Sequence, residues 1–79
     1  MDLKGRDIRV NVLSAGYTDT PGLSHFVTDR EKAPMVASVP LGRLGTSDDL
    51  GKAAVFLASD DSAYVTGIEL FVDGGAAQI

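Results

Sequence analysis

Ile8-Arg9-Val10-Asn11-Val12-Leu13-Ser14, followed by Ala15-Gly16, is the stretch on which the fold turns. Ile8, Val10 and Val12 alternate with Arg9, Asn11 and Leu13, and β-branched residues are frequent, so residues 8–14 read as a strand. A second strand is expected over residues 68–72. There Ile68, Leu70 and Val72 face one way, Glu69 and Phe71 the other, and Asp73-Gly74-Gly75 supplies a turn. Between the two strands lies the clearest helix. Thr46 is placed as its N-cap, with Asp49 three residues on in a near capping box. Asp48 and Asp49 sit in the first turn, where negative charge suits the helix dipole. The helix is predicted over residues 47–59, and Asp60-Asp61-Ser62 ends it.

Two strands joined through a helix should run parallel with a right-handed connection. A parallel pair is normally covered on both faces within a larger sheet, and two strands alone are marginal. The helix points the same way. At about 100° per residue, Leu50, Ala53, Ala54 and Leu57 form one stripe. Val55 and Phe56 fall outside it and flank the side carrying Asp48, Asp49 and Lys52, which calls for a second packing partner.

The rest of the chain is connection and cover. Tyr17-Thr18-Asp19-Thr20-Pro21-Gly22 is loop, and Pro21 biases Thr20 toward extended backbone. Residues 20–40 read as a helical lid or two short helices. Leu23, Phe26 and Val27 have helical spacing, as do Met35, Val36 and Val39, with Pro34 between the groups as the break. Pro40-Leu41-Gly42-Arg43-Leu44-Gly45 is a turn-rich connector.

Composition bounds the function. The chain has 79 residues, and one this short buries only about 60% of its unfolded surface when it folds alone. Hydrophobic residues at 44% and charged residues at 23% are globular rather than disordered values. Eleven acidic against seven basic residues give a net charge of −4, which argues against nucleic acid and against an anionic membrane surface as partners. The absence of cysteine removes disulfides, thiolate metal sites and a Cys nucleophile, and fits a cytoplasmic setting. No apolar run approaches the roughly 18 residues of a membrane span, and Met1 to Asp7 lack the apolar core of a signal peptide.

Several ordered pieces together resemble the C-terminal third of the short-chain dehydrogenase/reductase family, of the classical type. Ile8-Arg9-Val10-Asn11-Val12 resembles its sixth strand, and Ala15-Gly16-Tyr17-Thr18-Asp19-Thr20 its Pro-Gly-x-Ile/Val-x-Thr segment. Pro40 to Gly45 with the acidic helix start resembles a further signature, and Tyr64-Val65-Thr66-Gly67 through Val72-Asp73-Gly74-Gly75 the final strand and turn. The resemblance implies an α/β fold: a C-terminal fragment of a Rossmann-like parallel sheet, ordered strand, helical lid, helix, strand in a single segment 1–79, completed by oligomerisation.

The same resemblance implies NAD or NADP as the full-length family's cofactor, with hydride passing between nicotinamide and a carbonyl or alcohol. Gly16, Thr18 and Thr20 would form part of the nicotinamide wall once the amino-terminal part is supplied. In the chain alone they read as a strand-end turn, and no bound cofactor is expected. The chain has no strand followed by a G-x-x-x-G-x-G turn. Nor has it a Tyr-x-x-x-Lys pair, since Tyr17 is followed four residues on by Pro21 and Tyr64 by Ile68. No catalytic residue is therefore assigned, and this chain alone is expected to be inactive. His25, the only histidine, reads as a lid residue able to touch substrate in a complete enzyme, or as surface. Asp48 and Asp49 read as capping residues, with Arg43 and Lys52 placed to pair with them. No metal site is expected. Val55, Phe56, Ile68, Leu70 and Phe71 are assigned to a homo-oligomeric interface, with intrachain core as the other reading of Ile68 and Leu70. A stand-alone oligomerisation module without catalysis is the alternative function.

Overall fold

The computed structural model describes residue 5 and residues 7–78, the side chain of Gln78 excepted. Most of the amino-terminal stretch Met1 to Asp7 therefore lies outside the described residues. The elements, in chain order, are β1 (Val12–Ala15), β2 (Thr18–Asp19), α1 (Pro21–Phe26), α2 (Asp29–Ala37), β3 (Gly45–Thr46), α3 (Ser47–Ala58) and β4 (Glu69–Val72). Short 3-10 turns follow α3 at Asp60–Ser62 and β4 at Ala76–Gln78.

β1 and β4 pair in parallel, with Val12 opposite Glu69, Leu13 opposite Leu70, Ser14 opposite Phe71 and Ala15 opposite Val72. Both strands are shorter than their patterns predict. The ladder covers 12–15 and 69–72, not 8–14 and 68–72. Gly67, at φ 74°, bends the chain just ahead of β4. Backbone bonding continues past the ladder, Gly67 N–H donating to Val10 O at 2.8 Å, and side chains supply the rest. Val10 N–H donates to Thr66 Oγ1 at 3.1 Å, and the Asn11 amide donates to Val65 O at 3.1 Å and accepts from Ile68 N–H at 3.2 Å. A second parallel pair, β2 with β3, sets Thr18 opposite Gly45 and Asp19 opposite Thr46. The sequence predicts loop or connector for Thr18, Asp19 and Gly45 and a helix N-cap for Thr46, which serves as that cap as well.

The helices also shift. α3 stops at Ala58 because Ser59 turns to extended backbone (φ −96°, ψ 170°), and its hydroxyl accepts from Asp61 N–H to start the next turn. The lid is two helices, but Pro34 lies inside α2 instead of breaking it. The break falls at Val27–Thr28, because Thr28 opens α2 with a full capping box to Glu31. Pro34 is tolerated where the helix is exposed and water can serve the carbonyl it frees.

α3 covers one face of the β1–β4 pair. Leu50, Ala53 and Leu57 are half-buried there, whereas Ala54 is exposed, contrary to the stripe reading. Ala54 and Ala58 instead border an open groove of about 320 Å³ with Arg9, Asn11 and Leu13. Among the described residues nothing covers the other sheet face. Val10, Val12 and Phe71 are 44%, 54% and 49% exposed. Among the described residues the buried apolar side chains are Val39 and Leu44. The molecule is correspondingly open. Its radius of gyration is 15.5 Å, against about 12 Å for a compact domain of this length. Its accessible surface is 5962 Å², against about 4,500 Å² for a folded monomer of its mass.

Candidate functional site

The candidate site is built where β1 and β4 end. Gly16 N–H donates to Val72 O at 3.0 Å, one step beyond the β1–β4 ladder. A Cβ at Gly16 would stand 2.6 Å from Asp73 Cβ and 2.8 Å from its Cα, so glycine is required by the backbone passing Asp73. Asp73 in turn accepts from Gly75 N–H at 2.9 Å and Ala77 N–H at 3.0 Å, fixing the last turn. Gly74, at φ 64°, docks that turn on Val39, and its carbonyl accepts from Leu41 N–H at 3.0 Å. Ser14 to Tyr17 with Phe71, Asp73, Ala76 and Ala77 enclose a groove of about 540 Å³. It lies at the carboxyl ends of both parallel strands, where open α/β sheets bind ligands.

Of the three sequence-assigned cofactor residues Gly16 lines this groove, while Thr18 and Thr20 follow it in the chain outside the lining, and both of their hydroxyls already have work. Thr18 Oγ1 donates to Gly16 O at 3.1 Å, and the Thr18 backbone lies in the β2–β3 pair. Thr20 Oγ1 accepts from Leu23 N–H at 3.2 Å as the N-cap of α1, which leaves its own hydrogen free to donate. That arrangement offers one free hydroxyl donor, at Thr20. It does not fit a pyrophosphate, which needs a glycine-rich turn feeding a helix N-terminus. α1 opens with Pro21, which has no N–H to offer.

Next to this rim is a polar cluster that the sequence reading missed. Asp19 Oδ1 accepts from Ser24 Oγ at 2.9 Å and from Lys32 Nζ at 3.2 Å, and Lys32 Nζ also donates to Ser24 Oγ at 2.9 Å. The Ser24 hydroxyl first, and Lys32 second, hold the Asp19 carboxyl below its ordinary value. Residues five and thirteen positions apart in a lid of mixed periodicity leave no sequence signal for such a contact. His25 stacks edge-on against Phe26 at 5.1 Å on the exposed surface of α1, apart from this cluster.

Asp48 and Asp49 take the structural role assigned to them. Thr46 and Asp49 form a complete capping box. Asp49 also receives Arg43 Nη1 at 2.8 Å, while Lys52 Nζ stands 3.0 Å from Asp48. The Arg43 bond, followed by those from Thr46, holds the Asp49 carboxyl far below the usual range.

In the sequence Arg9 is only a polar member of the alternation at residues 8–14. Its guanidinium in fact spans four acceptors: Leu57 O at 3.0 Å, Ser62 Oγ at 3.1 Å, Val65 O at 3.2 Å and Ser59 O at 3.4 Å. It ties the approach to β1 to the carboxyl end of α3. Ser62 beneath it is fully buried. A lone arginine within an apolar alternation was the available signal. Of the assigned interface residues, Val55 is 69% exposed, Phe71 49%, Phe56 41% and Ile68 40%, while Leu70 is half-buried on the sheet face opposite Phe71. Among the described residues no group of three His, Cys, Asp or Glu side chains is placed to hold a metal, and no helix is long and apolar enough to cross a membrane.

Known proteins match this arrangement. A family profile described as enoyl-(acyl carrier protein) reductase matches residues 1–77. The chain is 45% identical over 74 residues to a 3-oxoacyl-(acyl-carrier-protein) reductase of Haemophilus influenzae, covering 94% of this chain and 30% of that protein. It is 43% identical over 76 residues to the reductase of the same description from Chlamydia trachomatis, with 96% and 30% covered. Among solved structures, a protein described as a 2-deoxy-D-gluconate 3-dehydrogenase from Agrobacterium tumefaciens, with bound NADP, superposes with a TM-score of 0.80 at 37% identity, over 91% of this chain and 30% of that one. A short chain dehydrogenase from Bacillus anthracis gives 0.74 at 32%, over 95% and 27%. The chain thus spans about a third of the length of the relatives it matches, and its parallel strands and helices are those of their Rossmann-like fold. Matched along nearly all of its length, this chain belongs to the short-chain dehydrogenase/reductase family.

Proposed function

We propose that this chain is the C-terminal third of an NAD(P)-dependent short-chain oxidoreductase and supplies a wall of the nicotinamide pocket, the substrate lid and an association surface. The observation that carries the proposal is the rim at the ends of β1 and β4. Gly16 must be glycine to pass Asp73, and this close passage sets the Gly16–Thr20 loop across the carboxyl ends of both strands. Gly16, Thr18 and Thr20 would face the carboxamide end of the cofactor, with the Thr20 hydroxyl as donor. The bound cofactor would supply the hydride, and the carbonyl or alcohol partner would sit under α1 and α2. The proton donor for that chemistry is not in this chain. Neither Tyr17 nor Tyr64 is followed by a lysine at the fourth position, and among the described residues neither hydroxyl is bonded to a lysine. The chain alone is accordingly inactive.

The first measurement is the intact mass of the native polypeptide in its source cells. A species about three times this length, the range of one α/β domain, supports the proposal. A species of 8.2 kDa sinks it and favours the alternative, a stand-alone association module built on Val55, Phe56, Ile68, Leu70 and Phe71. The bare sheet face and the excess surface favour association in either case. A compact monomer in dilute solution would count against the module. Turnover of any carbonyl substrate by the purified chain with NADH or NADPH would overturn the claim that it is inactive.

A further inference from the structure

The lid is held to the molecule in an unusual way. Neither α1 nor α2 contains a buried residue. Apolar packing anchors the carboxyl end of α2, where Met35 and Val36 are half-buried and Val39 beyond them is buried, but residues 29–33 have none beyond the stem of Lys32. What reaches across is Lys32, whose side chain is only 11% exposed although it projects from an open helix. Its ammonium bridges Asp19, the last residue of β2, and Ser24 of α1, and those two are bonded to each other. Three elements thus meet at one closed ring of polar groups. Lys32 also approaches Asp29 at 3.9 Å, but that carboxylate is fully exposed and lies on the same helix, so it tethers α2 to nothing.

We infer that Lys32, Asp19 and Ser24 form a polar latch that keeps α2 closed over the Gly16–Thr20 loop. Breaking it frees the amino-terminal turns of α2, while its carboxyl end stays anchored next to Val39. Asp19 lies between Thr18 and Thr20, so the latch joins the lid directly to the loop proposed to face the cofactor. As a control on access to that loop the inference rests on the proposed function. As a statement about what holds α2 it does not.

Hydrogen exchange of the full chain, followed by mass spectrometry with no cofactor present, tests the latch. In Lys32→Met, amides of residues 29–33 should exchange about tenfold faster or more, the order expected on losing charge-assisted bonds, while β1, α3 and β4 keep their rates. Ser24→Ala should produce the same local effect in smaller measure. Asp29→Asn should change the rates by less than about twofold. In 1 M salt, where the screening length is about 3 Å, the parent chain should move toward the Lys32→Met pattern. Unchanged exchange over 29–33 in Lys32→Met would overturn the latch. So would faster exchange spread evenly over the chain, or equal effects from Asp29→Asn and Lys32→Met. Because cofactor is absent, a failed latch and a failed cofactor role give separate results.

Discussion

Replacing Arg9 by methionine should cost more stability than any other single charge removal in the described chain. The methionine keeps the stem and removes the guanidinium, which bonds Leu57 O, Ser62 Oγ and Val65 O at 3.0 to 3.2 Å. A net hydrogen bond to a charged group contributes about 1.5–3 kcal/mol, and a cation at a helix carboxyl end about 0.3–1 kcal/mol. The acceptors share one donor group and are partly accessible, so the sum does not apply. A loss of about 2–3 kcal/mol is expected, a fall in Tm of roughly 10–20 °C for a domain of this size. Arg9→Lys should recover part of it, since one ammonium keeps the charge but cannot span the fork. Ser62→Ala supplies the second arm of a cycle. The Ser62 hydroxyl donates to Leu57 O and Ser59 O, carbonyls that Arg9 also serves. The double variant should therefore depart from additivity by at least about 0.5 kcal/mol. The assay is urea and thermal unfolding followed by circular dichroism, with all variants at one concentration because assembly shifts apparent stability. An Arg9→Met chain within about 0.5 kcal/mol of the parent, or a strictly additive double variant, would refute the clamp.

Other outcomes follow from the same contacts. Gly16→Ala should destabilise by about 1–3 kcal/mol, because its Cβ would meet the Asp73 backbone, and protease sensitivity of the last ten residues should rise with it. Thr46→Ala should cost about 1 kcal/mol through loss of the α3 cap, read by unfolding. The Asp49 carboxyl is held low in the folded chain, so its stabilisation is complete at neutral pH and declines as pH falls below the ordinary carboxylate value of about 4. Asp49→Asn should flatten that part of an acid titration of stability, and an unchanged acid limb would contradict the Arg43–Asp49 assignment. Phe71→Asp should shift sedimentation toward monomer if the bare sheet face is covered by association, with no change in the parallel pairing of β1 and β4.

The legible parts of the fold were those set by short-range rules. Thr46 and Asp49 announce a capping box at fixed spacing, and the box forms. The alternations at 8–14 and 68–72 announce two strands and the connecting helix makes them parallel, as found. Strand ends were not legible. They depend on Gly67 turning the chain and on Asn11 and Thr66 replacing ladder bonds, none of which changes the hydrophobic period. Pro34 misled because its cost depends on what the freed carbonyl meets, here solvent. At the site, the Gly16–Thr20 segment was visible as a motif, but the reason for Gly16 was not, since Asp73 lies 57 residues away in the chain. The Asp19–Ser24–Lys32 ring was invisible for the same reason: no local rule brings a β2 carboxylate to an α2 ammonium.

Two kinds of stabilisation have parted company in this chain. Its polar contacts are self-contained. Among the described residues no buried side-chain nitrogen or oxygen lacks a partner, and caps, clamp and ring are all closed within 79 residues. Its apolar contacts are not self-contained. Among the described residues Val39 and Leu44 are the buried apolar side chains, while Val12, Val55 and Phe71 stand about half exposed or more. Hydrogen bonds fix geometry but add little net free energy each, whereas burial supplies most of what offsets chain entropy. A chain with its hydrogen bonds complete and its core nearly absent carries the shape of a site without the free energy to hold it rigid. Whatever covers the bare face of β1 and β4 should therefore raise stability sharply while changing backbone geometry little. If covering that face rearranged the Gly16–Thr20 rim instead, the rim would owe its shape to the partner and not to Asp73.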